Sequence, residues 1–456
     1  MSLLKQLREI GYFLFLALFT LSVQAAPSNW PPPGLEIAQE AINSHGNDLI
    51  LIDGVIGHGI TVDGDGEAAI VVFTATPMLQ GIPRTLDGVS IVVRFSGQFY
   101  ALAPPKCGGP PAGRPAECFD DSAPSVDPTA RFDRPVPIGV STGHPDITAG
   151  TIGARVIGIN DDSTDAIVDN KGKIFALSNN HVFANSNAAV LGDNILQPGP
   201  FDGGTSSDAY GTLSAFIPII FSDSTNYVDN YVDAALAETD TSQLTNTTPE
   251  DGYGSPVSTT SVAVVGQSVQ KYGRTTGFTQ GRVEAINATV NVCYESDLAG
   301  NCVKLAHFVD QIVISDGQFS EGGDSGSLIV TTDGNQPMAL LFAGSPSYTI
   351  ASPIDTVLSV LGVAIDGEEV TPPPPSGEFA LTATGYKVKG WQHTDLTWSG
   401  VVSSDVDIWR DGSLIITTIN DGFYTDPINQ KGSGSYNYQV CEAETDNCSN
   451  EAVVEF

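Results

Sequence analysis

The sequence predicts a mostly-β chain in three modules: a small α+β unit at residues 34–105, an all-β domain at 138–366 and a β-sandwich at 379–456. Three observations predict this. Val- and Ile-rich runs of strand length recur through 138–366, split by Gly, Asp, Asn and Ser turns, the pattern of a barrel or sandwich. TPPPPSG at 371–377 is a stiff polyproline spacer that divides this stretch from the C-terminal residues. Beyond it, DLTWSG, DVDIWRDGSLIITTI, SYNYQVCEA and NEAVVEF alternate apolar and polar residues, as strands with one buried face do.

The chain opens with a stretch that reads as a secretory signal. Lys5 and Arg8 form a positive end, and an apolar run from Gly11 to Leu21 comes next, too short for a stable membrane anchor. Val23 and Ala25 are small residues at cleavage spacing, and Pro27 disfavours a cut just before it, so residues 1–25 are expected to be removed. The protein is therefore expected outside the cytoplasm, extracellular or periplasmic, with no stable membrane association.

Next, GLEIAQEAINSHG places Leu35, Ala38, Ala41 and Ile42 at helical spacing, and DLILIDGVIGHGITV, EAAIVVFTAT and VSIVVRFSGQFYALA read as strands. This 34–105 unit is expected to be a pro-region or an attached accessory module. Residues 106–137, dense in Pro, Gly and Asp, read as a linker, and 367–378 as a second one. In the all-β domain, TVLSVLGV at 356–363 reads as a short closing helix.

The six cysteines fall into three local pairs, Cys107–Cys118, Cys293–Cys302 and Cys441–Cys448, which suits an exported protein. Loops this small each contribute roughly 2–3 kcal/mol in the chain-entropy model. No cysteine or histidine spacing suits a metal, so no metal and no cofactor is expected. Acidic DGDGE (63–67) and DDSTD (161–165) are explained by ordinary turns. With 19 Lys+Arg against 53 Asp+Glu, the formal charge is −34. Phosphate is repelled by such a chain, which argues against nucleic acid as a partner.

One stretch demands chemistry. FSEGGDSGSLIV (319–330) sets Ser325 behind an acid, among glycines, just before an apolar run. A tight turn explains it in part. A nucleophile beside free backbone N–H groups explains it better if a base and an orienting acid exist. Of the six histidines, His45, His58 and His393 lie outside the all-β domain, and His144 precedes a proline in a loop. His181, in IFALSNNHVFA, is delivered by an apolar run to a polar end. His307, in KLAHFVD, has less turn chemistry around it. Asp233 interrupts the apolar run of YVDAALAE, as a buried orienting acid should. Asp229, four residues earlier, has polar residues after it.

The order His181, Asp233, Ser325, with NNHVFA, VDAALA and GDSGS around them and GRTTGFTQGRVEAINATVNV at 273–292, resembles the chymotrypsin-like serine proteases, in particular the bacterial streptogrisin type. The resemblance covers roughly residues 150–365. It implies a double β-barrel, and a monomeric serine endopeptidase that hydrolyses protein or peptide substrates through an acyl-enzyme. His181 is then the general base, Asp233 its orienter and Ser325 the nucleophile. The N–H groups of Gly323 and Ser325 form the oxyanion hole. Phe319, Gly322, Ala343, Gly344 and Ser345 border the substrate, with an apolar or small side chain expected before the scissile bond. Asp324 is expected to be buried against a cation: a new N-terminus, Arg155 or Arg282. Ser327 stands where the family often has glycine, and Asn179 and Asn180 where many members have small residues. The final module resembles a fibronectin type III-like domain, with Trp398, Trp409, Tyr436 and Tyr438 as core or edge aromatics.

Two rivals stand against an endopeptidase. An α/β-hydrolase needs G-x-S-x-G and the order serine, acid, histidine, and the chain offers neither. A secreted, non-catalytic binding protein on a protease fold is the alternative, and the intact trio of residues speaks against it.

Overall fold

The computed structural model describes residues 30–101, 126–159, 170–222, 227–297, 299–315, 318–367 and 379–456, the last apart from 389, 400–402, 404, 421, 444 and 446. The expected signal segment, the expected Cys107–Cys118 pair, DDSTD and TPPPPSG lie outside these residues. The chain divides near residue 369 into two compact units.

The first unit starts with α1 (Leu35–Ile50), whose buried stripe is Ala38, Ala41, Ile42, Leu49 and Ile50. The stripe packs against Ile60, Ile70 and Val72 of β1 (Val55–Val62) and β2 (Ala68–Thr74). DGDGE is the turn between these strands: Asp63 Oδ1 accepts the N–H groups of Asp65 and Glu67. β3 (Thr85–Leu86), β4 (Val89–Phe95) and β5 (Phe99–Ala101) complete this region.

A hairpin of β6 (Ser141–Thr142) and β7 (Gly150–Thr151) follows. Next come β8 (Ala154–Gly158), β9 (Ile174–Ser178), the one-turn helix α2 (Asn180–Phe183), β10 (Asn194–Leu196) and β11 (Ala209–Phe216). β12 (Phe221–Ser222), β13 (Asp229–Asn230), β14 (Ala235–Thr239), β15 (Ser268–Gly273), β16 (Gly277–Ser296) and β17 (Cys302–Ser315) lead into the second half. β18 (Leu328–Thr331), β19 (Pro337–Gly344), β20 (Tyr348–Pro353), α3 (Ile354–Leu361) and β21 (Val363–Ile365) close the unit.

Among the described residues these strands form two main sheets. One has six strands in the order β10-β11-β14-β9-β8-β21. The other has thirteen, most of them along the path β12-β17-β20-β19-β18-β15-β16-β1-β2-β4-β3. The two share a core: Ala154, Val156, Leu177 and Leu236 of the first pack with Leu328, Val330 and Leu340 of the second and with Val357 and Leu361 of α3. The closing helix at 356–363 is thus present as α3, two residues earlier than its expected start.

Two differences from the expected organisation concern the N-terminal half. The 34–105 region adds its strands to the large sheet: β1 pairs antiparallel with β16, Gly57 opposite Val290 and His58 opposite Thr289. β5 fills a gap further along, parallel to β16 at Val292–Cys293 and antiparallel to β19 at Ala343–Gly344. The described end of the 106–137 linker is also structured. Val136 is fully buried and bonds across to 243 and 245 through its main chain, and Arg131 holds Asp208 through Nε at 2.6 Å. Apolar Val136 and the adjoining Ile138 draw this segment into a core that its Pro and Asp content conceals.

The second unit is a β-sandwich. β22 (Ala380–Val388), β23 (Trp391–Ser399) and β26 form one sheet; β25, β24, β27 and β28 form the other. Here β24 is Asp405–Arg410, β25 Ser413–Ile419, β26 Phe423–Lys431, β27 Ser435–Glu442 and β28 Ala452–Glu455. Trp398 and Tyr438 are core residues beside Leu396, Val406, Ile408 and Val440. Tyr438 donates to the buried Asp426 at 2.7 Å. Cys441 and Cys448 are bonded.

Candidate active site

The site is assembled where the six-stranded sheet meets the large one. β9 ends at Ser178, and its pairing with β14 sets Ser178 opposite Ala235. The segment just beyond β9 therefore lies beside the segment just before β14, where Asp233 sits. Asn179 begins α2 and donates its side-chain amide to the Asp233 carbonyl at 2.7 Å. Asn180 donates to the Ile217 carbonyl at 2.7 Å. The two asparagines thus tie the start of α2 to its surroundings.

His181 is held on two sides by one carboxylate. Its backbone N–H donates to Asp233 Oδ1 at 3.2 Å, and its Nδ1 lies 2.6 Å from Asp233 Oδ2. Asp233 is wholly buried, while the His181 side chain keeps 13% of its surface. A carboxylate at Nδ1 places the proton on that nitrogen and leaves the Nε2 lone pair free to act as a base. Asp229, the runner-up, is a surface residue whose side chain is 56% exposed and whose nearest cation-forming partner is His307, 3.8 Å away. His307 instead hydrogen-bonds Asn291 at 2.7 Å and stacks on Tyr227.

Ser325 lies on the loop before β18 and is 1% exposed. The loop is pinned to the hairpin strand β7. Thr151 N–H donates to the Ser325 carbonyl at 2.7 Å, and Thr151 Oγ1 to the Gly323 carbonyl at 2.9 Å. Ser178 Oγ, three residues before His181, donates to the Thr151 carbonyl at 2.8 Å. One threonine thereby connects the serine loop to the strand that delivers the histidine. Ser325 Oγ and His181 Nε2 are both buried, and neither has a hydrogen-bond partner among the described residues.

The glycines do what their positions require. Gly323 and Gly326 have φ of +99° and +94°, where a side chain is strained. A Cβ at Gly326 would also strike Ser178 Oγ and the Thr151 carbonyl. The Gly322 carbonyl is taken by Thr275 Oγ1 at 2.6 Å, so in that trans peptide the Gly323 N–H points the opposite way. Among the described residues, the N–H groups of Gly323 and Ser325 meet no acceptor.

Asp324 is the anchor of the loop. Its Oδ1 accepts the N–H of Thr275 at 2.8 Å and of Thr276 at 3.2 Å; Oδ2 accepts Thr276 Oγ1 at 2.8 Å and the N–H of Glu321 at 3.0 Å. Its cation is Lys271, whose Nζ is 3.5 Å from Oδ2, with both side chains fully buried. This replaces the expected partners. Arg155 binds Asp366, and Arg282 donates to the Gly266 carbonyl. Burial pulls the Lys271 ammonium down from its usual range, and the Asp324 carboxylate opposes that pull. The lysine lies in the largely buried strand SVQKYG. Ser327 donates to the Asp324 carbonyl at 2.6 Å.

Of the expected substrate-bordering residues, Phe319 is wholly buried and packs with Val283, Ile314 and Ile329. Its aromatic bulk serves the core beneath the loop and has no surface to offer a substrate. Ala343 and Gly344 lie on β19 with β5 paired against them. Ser345 comes next, its N–H donated to the Tyr348 carbonyl at 2.8 Å. Cys293 and Cys302 are bonded, clipping the β16–β17 hairpin near its tip.

Sequence reasoning missed a residue of this site. Tyr294 of β16 donates its hydroxyl to Asp233 Oδ2 at 2.6 Å. Burial and the neighbouring carboxylate push this phenol well above its ordinary range, so it remains a donor. Nothing in VNVCYES marks it, because its partner is distant in sequence.

No family model and no curated protein matches the chain. Among solved structures it is similar to Thermobifida fusca protease A, at 18% identity over 50% of this chain and 98% of that one, with a TM-score of 0.33. It is similar also to a Nocardiopsis protease, at 18% identity over 50% of this chain and 99% of that one, TM-score 0.33. A serine protease described as specific for glutamic acid matches at 21% identity over 50% of this chain and 100% of that one, TM-score 0.33.

Proposed function

We propose that this protein is a secreted serine endopeptidase. The observation that carries the reading is the wholly buried Asp233 carboxylate on His181 Nδ1 at 2.6 Å, with Ser325 on a loop bound through Thr151 to the strand before His181. In this reading His181 Nε2 takes the Ser325 proton as Oγ attacks the scissile carbonyl. The oxyanion is met by the N–H groups of Gly323 and Ser325. His181 then protonates the leaving amine, and water releases the acyl group by the same route in reverse. Removal of one oxyanion donor typically costs about 2.7–4 kcal/mol in the barrier.

The 34–101 region acts as a pro-region in this reading. Its β5 occupies the edge of β19 at Ala343–Gly344, the edge along which an extended peptide would add as a strand. The C-terminal sandwich, fibronectin type III-like in its alternation, serves as a spacer or binding module.

A fluorophosphonate probe tests the enzyme. The exported protein, after the 34–101 region has been cut away, should label, and Ser325→Ala should not. A mature wild type that stays unlabelled leaves the non-catalytic binding protein as the better description.

A further inference from the structure

We infer that Tyr294 is a positioning residue of the proposed catalytic centre, holding Asp233 through the same carboxylate oxygen that meets His181 Nδ1; this rests on the serine endopeptidase reading. Asp233 has no exposed surface, so its charge is satisfied by neighbours alone. Oδ1 receives the His181 N–H, and Oδ2 receives both His181 Nδ1 and the Tyr294 hydroxyl, each at 2.6 Å. Among the described residues, the titratable groups bonded to this carboxylate are His181 and Tyr294.

The phenol is itself fixed by packing. Its ring meets Phe221 edge-on at 5.4 Å between centroids, lies over Phe308 at 6.3 Å, and meets the His181 imidazole edge-on at 6.0 Å. Tyr294 thus touches the orienting acid through oxygen and the base through its ring. It reaches the site from β16, one residue beyond the Cys293–Cys302 bond.

Two donors on one oxygen do different work. The imidazole needs the carboxylate as its orienter. The phenol spreads the carboxylate's charge and fixes its plane, so that Oδ1 and Oδ2 face the two His181 donors together. Without the phenol the carboxylate turns more freely and draws more strongly on the imidazole proton.

Tyr294→Phe tests this, since it keeps the ring packing and removes only the oxygen. Active sites are titrated with the fluorophosphonate, so rates are expressed per competent site. The expected result is a kcat lower by roughly tenfold, the loss of one charge-assisted hydrogen bond. KM should be nearly unchanged, and the acid limb of the pH–rate profile should move to higher pH. An unchanged kcat per titrated site overturns the inference. A fall in titratable sites with an unmoved acid limb also overturns it, because that is what a purely structural tyrosine would give. If Ser325→Ala labels as well as the wild type, the parent reading fails, and Tyr294 falls with it.

Discussion

Lys271 and Asp324 form an ion pair with no exposed surface on either side chain. The pair sits directly beneath the loop that carries Gly323 and Ser325. Asp324 also gathers three backbone N–H groups and a threonine hydroxyl. The conformation of the loop is therefore set by internal groups, and no new chain terminus is needed to form it.

Lys271→Met should leave that carboxylate buried without its cation. Loss of one partner from a buried pair costs about 3–5 kcal/mol. Urea denaturation of the variant should show a drop of this size, together with loss of fluorophosphonate labelling. A loss below about 1 kcal/mol would mean that the N–H groups alone hold Asp324.

Asp233→Asn keeps the shape of the orienting residue and changes the hydrogen it offers to Nδ1. The imidazole then takes the wrong tautomer, and kcat should fall by about 10⁴ with the fold intact. Steady-state kinetics on a peptide substrate, with circular dichroism as the control, is the measurement. A decrease of only a few-fold would remove His181 from the role of base.

Gly326→Ala should be poorly tolerated. The residue has φ of +94°, and its new methyl would meet Ser178 and Thr151. The backbone strain alone costs about 1–3 kcal/mol, and relief of the clash would shift the threonine that pins Ser325. Both melting temperature and activity should fall. Wild-type activity in this variant would show that the Thr151 linkage is dispensable.

His58 predicts an acid sensitivity of the 34–101 region. It is buried in β1, and burial, reinforced by His307 and opposed by a hydrogen bond with the Gly46 backbone, pulls it down to about 4. The unfolded chain binds this proton near pH 6.5 and the folded one only near 4. Stability is thus full above pH 6.5 and declines as pH falls toward 4, by up to about 3 kcal/mol. Melting curves between about pH 7.5 and 4 should show the decline, and His58→Leu should flatten it. Equal slopes in both proteins would assign the acid sensitivity elsewhere.

Much of the fold class was legible because it depends on local pattern. Val/Ile runs with glycine turns gave the strands, and α1 and α3 followed from apolar spacing. The contact of His181 with Asp233 joins two residues that the sequence singles out, one at the polar end of an apolar run and the other interrupting one. What escaped depends on register between distant strands. Tyr294 and Asp233 are 61 residues apart, and no local feature of VNVCYES points across that distance. The resemblance places Phe319 beside the substrate, yet the side chain is buried in the core. The 126–137 segment was hidden by its Pro and Asp content, although Val136 and the adjoining Ile138 anchor it.

If the leading region is a pro-region, the seating of β5 between β16 and β19 separates cleavage from the onset of activity. A cut in the backbone beyond Ala101 leaves the leading piece zipped to its host by β1 and β5, as a tight noncovalent complex. Appearance of peptidase activity should then trail the nick, with a lag that shortens on dilution or when a second protease digests the freed piece.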